Sequence, residues 1–264
     1  MSLLTVTSVR PLTPRMVRMT FTGDGLVDIG TWPDQQLKLL FPKPGGSALV
    51  SESPDVSVWY QAYLAMPESE RPWMRSFTVR SLADGVLTVD FVLHGDNGPA
   101  SAWAAVAKPG DVIGRFGPSA DYARPLGTAD LLVFAGDETA LPAISSLLEV
   151  LPDSQRFLAF VEVADPLEEQ DVPGVRWVHR SAGDDLVSVV PRVVSAVEVP
   201  SSVWVWLGGE AAAVRALRRH FVGLGVSKKD IEFAGYWRRA LTQDDAPTTE
   251  DLAEAQERIA AFSE

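Results

Sequence analysis

The hydrophobic period of this chain changes once, near residues 125–128, and the change divides it into two halves that must be built differently. Ahead of it, Leu4, Val6 and Ser8 alternate with Thr5, Thr7 and Val9, and Met16–Thr22 and Leu37–Phe41 are similar short segments. A period of two belongs to strands whose two faces meet different surroundings. Turn formers punctuate these runs at Arg10-Pro11, Gly23-Asp24-Gly25, Pro42–Gly46 and Ala83-Asp84-Gly85, so the expected architecture is an antiparallel barrel or sandwich, with closure into a barrel an inference. Val56–Leu64 reads as one more strand of that series.

Past the change, 130–135 is a continuous apolar run, and Leu141, Ile144, Leu147 and Leu148 then recur with helical spacing inside 137–151. The alternation repeats with strands at 156–163, 175–179 and 203–207 and helices at 184–196 and 210–224. Strands apolar throughout are buried on both faces, and their alternation with amphipathic helices implies a parallel sheet with crossovers. The expected units are therefore residues 1–126, an antiparallel barrel, and 127–240, an α/β domain. Thr248 or Thr249 as cap, with Leu252, Ala255, Ile259 and Phe262 along one side, adds a C-terminal helix within 241–264.

A length of 264 residues suits two domains, and 46% apolar with 22% charged residues is ordinary globular composition. The formal net charge of -12 argues against nucleic acid and anionic membrane surfaces as partners. Arg215, Arg218, Arg219 and His220 form the only near-basic run, with the spacing of a solvated helix face. Cysteine is absent, which removes disulfides, thiolate nucleophiles and cysteine-held metal centres, so any redox chemistry needs a borrowed cofactor. No leader-like segment opens the chain, and no apolar stretch approaches the roughly 18 residues of a spanning helix. The expectation is a cytoplasmic protein.

Two segments carry chemistry. In Arg75-Ser76-Phe77-Thr78-Val79-Arg80, strand alternation puts Arg75 and Phe77 on one face, where a guanidinium and a ring can meet one ligand carrying both phosphate and a planar system. Thr78 points the other way. Downstream, the strand 85–94 places Leu87, Val89, Phe91 and Leu93 on one face and Thr88, Asp90, Val92 and His94 on the other. It runs through Gly95-Asp96-Asn97-Gly98 into a helix with Pro99 at its start and small residues, Ala100 and Ser101, behind it. Backbone N–H groups and the helix dipole there suit a diphosphate, although an ordinary strand-to-helix connection capped by Asn97 has the same pattern. His94 reads as a ligand contact or strand-end residue rather than a base.

These segments, together with Lys108-Pro-Gly-Asp-Val-Ile-Gly-Arg-Phe-Gly-Pro118, Gly136-Asp-Glu-Thr-Ala-Leu-Pro-Ala-Ile144 and Gly235-Tyr-Trp-Arg238, resemble the siderophore-interacting protein family of FAD-dependent ferric-siderophore reductases. The five motifs occur in order across most of the chain. The resemblance implies an FAD-binding barrel followed by a nicotinamide-binding-like domain, within the wider ferredoxin reductase-like group. It implies FAD contacts at Arg75, Phe77, Thr78 and Val79, at Asp90, Val92, Leu93, His94 and Gly95, and at Ala100 and Ser101. Cofactor contacts at Thr139 and Ala140 come with it, as do siderophore contacts at Lys38 and Arg238, which also suit plain surface charges. It further implies a ferric siderophore as acceptor and NADPH, NADH or a reduced ferredoxin as donor, with no side chain needed as nucleophile or metal ligand. A general flavin or ferredoxin reductase with another acceptor, and a non-catalytic siderophore-binding protein, are the alternatives.

Three positions depart from the family pattern. Phe77 replaces the usual Tyr, Gly117-Pro-Ser-Ala120 stands where Gly-Pro-Arg-Gly is common, and Ala240 stands where Gly often follows Trp-Arg-x. The loss of Arg at 119 puts the usual siderophore preference in doubt. No G-x-G-x-x-G fingerprint follows the first parallel strand. Instead Asp137 and Glu138 sit where they satisfy a helix dipole and repel a diphosphate laid directly over them.

Overall fold

In the computed structural model, residues 2–48, 56–94, 98–117, 126–196 and 202–239 are described, with 248–250, 252–253 and 256 of the C-terminal segment. Strands β1 (Ser2–Thr13) and β2 (Met16–Thr22) make the longest hairpin, with register shifts after Val6 and after Pro11. The first shift has a visible consequence. Leu4 and Val6 are buried, Thr7 and Ser8 are both exposed, and Val9 turns back to the core. One inserted residue reverses which face points inward, so Ser8 does not continue the inward series that simple alternation assigns to it. The second shift falls at Pro11, whose nitrogen has no proton for the ladder.

Strands β3 (Gln36–Phe41), β4 (Trp73–Thr78), β5 (Ser81–Ala83), β6 (Val86–Val92) and β7 (Val112–Phe116) complete a seven-stranded sheet ordered β4-β3-β7-β1-β2-β6-β5, antiparallel at every pairing. Although β4 and β6 stand far apart in this order, the rings of Phe77 and Phe91 lie 4.6 Å apart. The sheet therefore curls round on itself as a half-barrel. Its interior is filled by Leu4, Met19, Phe21, Leu39, Phe41, Leu87, Val89, Phe91 and Ile113, each at most 1% exposed. Burial of each of these side chains contributes about 1.5–3 kcal/mol.

Val56–Ala65 is a helix, α1, and not the strand that its aromatic and β-branched content suggests. The deciding feature is Trp59, only 1% exposed and stacked on Phe116 at 4.2 Å and on Tyr63 at 5.6 Å. A spacing of four puts Trp59 and Tyr63 on one helical face, while Val58, Tyr60 and Leu64 lie off it. Those three are exposed.

The second sheet is parallel throughout, ordered β10-β9-β8-β11-β12, from β8 (Leu131–Asp137), β9 (Phe157–Val163), β10 (Val175–His179), β11 (Val203–Glu210) and β12 (Ile231–Trp237). Helices α2 (Pro99–Val106), α3 (Leu141–Leu148), α4 (Leu186–Ser195) and α5 (Ala211–Gly223) complete the fold, α2 lying on the half-barrel and the others on the parallel sheet. Helix α3 begins later than its sequence period suggests, because Gly136 and Asp137 finish β8. Strand order reverses between β8 and β11, which opens a crevice beyond their carboxyl ends.

The two sheets share packing: Met16 sits among Leu132, Phe134, Leu141 and Trp206, and Glu168 accepts from the Thr13 hydroxyl at 2.6 Å and from the Arg15 N–H at 3.2 Å. Residues 249–250, 252–253 and 256 are helical behind Thr248, whose carbonyl accepts from the Leu252 N–H at 3.0 Å; Leu252 is exposed, and Ala255, Ile259 and Phe262 of the expected C-terminal helix lie outside the described residues. Among the described residues no helix is long and apolar enough to cross a membrane.

Candidate functional site

Pairing with β3 settles the faces of β4. Phe77 lies opposite Leu37 and Arg75 opposite Leu39, both buried, so Arg75 and Phe77 share the inner face of the half-barrel. Ser76 and Thr78 lie opposite Lys38 and Gln36 on the outer face. Phe77 leans on Phe91 and Phe41, the latter at 6.0 Å, and Trp103 of α2 packs on the same two rings at 6.0 and 5.4 Å. This aromatic cluster brings the foot of α2 towards the strand that carries Arg75. Arg75, half-buried, donates from one guanidinium nitrogen to the Met74 carbonyl.

Helix α2 starts without a side-chain cap: its N-cap residue is Gly98 at φ 127°, a conformation that disfavours any residue with a Cβ. Pro99 occupies the first turn, where its missing N–H costs nothing. The Ser101 hydroxyl, 3% exposed, accepts from the His94 N–H at 3.0 Å and ties the end of β6 to this turn. His94 itself is exposed, and Val92 and Leu93 are half-buried. Val79 is buried, its N–H donating to the Gln35 carbonyl at 2.7 Å. The Asp90 carboxylate, which faces Arg18 directly across the strands, accepts two bonds of 2.7 Å from that guanidinium. Gly95 and Asn97 lie outside the described residues.

On the outer face the half-barrel meets β12. Thr78, 7% exposed, bonds the Tyr236 hydroxyl, to which Gln36 also donates at 3.3 Å. Tyr236 donates on to Asp34 at 3.4 Å, and Asp34 accepts the Trp206 indole N–H at 2.9 Å. Burial, only partly countered by the Trp206 bond, pushes the Asp34 carboxyl up to about 6. Burial and the neighbouring Asp34 charge raise Tyr236 well above the usual phenol. Lys38 is exposed on β3 and donates to the Ser76 hydroxyl, while Arg238 is half-buried just past β12. Neither Asp34 nor Trp206 stands out by periodicity. Their one signal is Pro33-Asp34, a turn pair placed directly before a strand.

At the crevice between β8 and β11 a cleft of about 500 Å³ opens, bounded by Asp137, Glu138, Glu162, Arg180, Glu210 and Trp237 among others. Asp137 is 4% exposed and accepts from the Thr139 N–H at 2.9 Å, the Thr139 hydroxyl at 2.5 Å, the Glu210 N–H at 2.8 Å and the Trp237 indole at 2.8 Å. Burial first, and the Glu138 charge second, push its carboxyl up to about 6. Thr139 is thus turned onto Asp137, and Ala140 is fully buried. A Cβ on Gly136 would lie 2.5 Å from that of Ala140 and 2.7 Å from the Gly208 carbonyl, so glycine there lets α3 pack against the sheet.

Residues 5–122 match the siderophore-interacting FAD-binding domain, and residues 129–240 match the siderophore-interacting protein domain. A siderophore utilization protein from T. fusca is 35% identical, with 92% of this chain and 94% of that one covered and a TM-score of 0.74. The ferric vibriobactin reductase ViuB of Vibrio cholerae is 28% identical over 87% of this chain and 86% of its own. The NADPH-dependent ferric-chelate reductase of Escherichia coli is 29% identical over 89% and 91%. With an FAD-binding half-barrel, a parallel α/β sheet and both family domains in order, the chain belongs to the siderophore-interacting protein family.

Proposed function

We propose that this chain is an FAD-dependent reductase that passes electrons to Fe(III) held by a siderophore, with NAD(P)H or a reduced ferredoxin as donor. The single observation that carries the reading is the aromatic junction of Phe41, Phe77, Phe91 and Trp103, which sets the uncapped N-terminus of α2 beside the strand bearing Arg75. An N-terminus served by glycine and followed by Pro99, Ala100 and Ser101 offers backbone donors and little bulk, which fits a diphosphate.

Arg75 and the first turn of α2 would hold the FAD diphosphate from two sides, and Phe77 would offer its remaining ring surface to the cofactor. Contacts from Val79, Asp90, Val92, Leu93, His94 and Gly95 belong to the same proposal. Asp90 enters through its backbone, since its carboxylate holds Arg18. Thr78, on the other face of the strand, would orient the edge of the ring system beside Tyr236. Lys38 and Arg238 would supply positive charge that draws an anionic chelate towards an otherwise acidic surface. Bound FAD supplies the electron transfer, one electron for each Fe(III). A cytoplasmic location for this reaction is part of the proposal.

Titration of the purified protein with FAD, anaerobic mixing with NADH, NADPH or reduced ferredoxin, and ferric siderophores with an Fe(II) trap test the reading in turn. Flavin absorption retained after gel filtration, bleached by a donor and followed by trapped Fe(II), is the expected outcome. Protein that stays colourless after incubation with FAD sinks it. Bleaching without Fe(II) from any chelate reassigns the chain to a reductase with another acceptor.

A further inference from the structure

In a doubly wound sheet the place for a dinucleotide diphosphate is the switch point, where glycines let the ligand approach and helix N-termini point at its charge. Here the switch point lies between β8 and β11, and it carries the glycines, Gly136, Gly208 and Gly209. Gly136 faces Ala140 and Gly208 faces the Trp206 ring, and what approaches Gly209 is the chain's own carboxylate. A Cβ built on Gly209, whose φ is 121°, would lie 2.5 Å from Asp137 Oδ2. That same oxygen accepts from the Glu210 N–H and the Trp237 indole, while Oδ1 takes both donors of Thr139.

The other helix N-termini at this edge are treated alike. In α4, the Leu186 N–H donates to Glu162 at 2.9 Å and the Ser188 N–H to Asp185 at 2.7 Å. In α5, the Ala213 N–H donates to Glu210 at 2.9 Å. Pro142 removes a further donor from the first turn of α3. Five carboxylates and two arginines, Arg180 and Arg239, bound the cleft, and Arg180 is held by Glu138 at 2.5 and 2.9 Å and by Glu162 at 3.2 Å. The contrast with α2, capped by glycine alone, lies within one molecule.

We infer that Asp137 fills the anion position of the parallel sheet itself, and that the cleft above it works against the diphosphate of NADPH or NADH. This rests on the flavin-reductase reading and chooses between its two donor classes: the nicotinamide dinucleotides are weakly held donors. The carboxylates around the cleft set this preference. Glu138 is the one whose neutralisation also leaves Arg180 with a single carboxylate partner, Glu162, instead of two.

Calorimetric titration of the protein, with and without FAD, using NADP⁺ and NAD⁺ as probes tests this without any turnover. The expected dissociation constant is about 1 mM or weaker, tightening as NaCl rises from 0.05 to 0.5 M because salt screens a repulsion. Glu138→Gln should tighten it about tenfold, the effect of removing one repelling charge at close range and low solvent access. A wild-type constant of about 10 μM or below, or affinity that falls with salt as for an attracted anion, overturns the inference whether or not the variant folds. Failure of the flavin reading would appear separately, as absent FAD binding, while the titration of FAD-free protein still decides the cleft.

Discussion

Replacing Asp34 by Asn tests how the half-barrel and the parallel sheet are held together. The Asp34 carboxylate receives the Trp206 indole N–H at 2.9 Å and the Tyr236 hydroxyl at 3.4 Å, and its own N–H donates to Ser146 at 3.1 Å. Its carboxyl is raised from 3.8 to about 6, and two units correspond to ~3 kcal/mol. Below pH ~3 the group is protonated in both folded and unfolded chains and costs nothing. As pH rises through 6 the unfolded chain ionises first, so the folded state loses up to ~3 kcal/mol, and residual solvent access makes this an upper bound.

Asn avoids that loss, tolerates the left-handed backbone at φ 61°, and keeps both contacts. Its amide oxygen accepts from Trp206, and its NH₂ donates to the Tyr236 oxygen, whose own proton turns to Thr78. The Asp34→Asn variant should therefore be about 1–3 kcal/mol more stable at pH 7 and within about 0.5 kcal/mol of wild type at pH 4. Asp34→Ala, which strands the indole and the phenol, should be less stable than Asp34→Asn by about 2 kcal/mol or more at both pH values. Urea unfolding followed by tryptophan fluorescence across pH 4–7.5 reads these differences. A variant less stable than wild type at pH 7, or a difference that does not change with pH, would refute the reasoning.

Arg75→Ala removes one side of the proposed diphosphate grip, and FAD affinity should fall about tenfold to a hundredfold, measured by quenching of flavin fluorescence; unchanged affinity refutes the grip. Gly209→Ala forces a Cβ against Asp137 at a backbone φ of 121°, and thermal unfolding should show a loss of about 2 kcal/mol or more.

Much of this protein is legible without coordinates. The change of period near residue 126 separates an alternating antiparallel half from a continuous-strand, parallel half, and both sheets follow from it. Arg75 and Phe77 share a face because strand geometry leaves no other arrangement, and Gly98-Pro99 announces a helix start.

Tertiary structure decided what depends on partners distant in sequence. Val56–Ala65 is helical because Trp59 stacks on Phe116, a contact across 57 positions that outweighs local strand preference. The bulge after Val6 reverses the face of Ser8, which residue type alone does not reveal. Above all, Asp137 and Glu138 read locally as capping acids. Only folding turned one of them onto Gly209 and Trp237 and paired the other with Arg180. Local pattern sets which elements form, because period and propensity act between near neighbours. Where a buried carboxylate finds its donors is set by the crossing of strands that the sequence holds up to 100 residues apart.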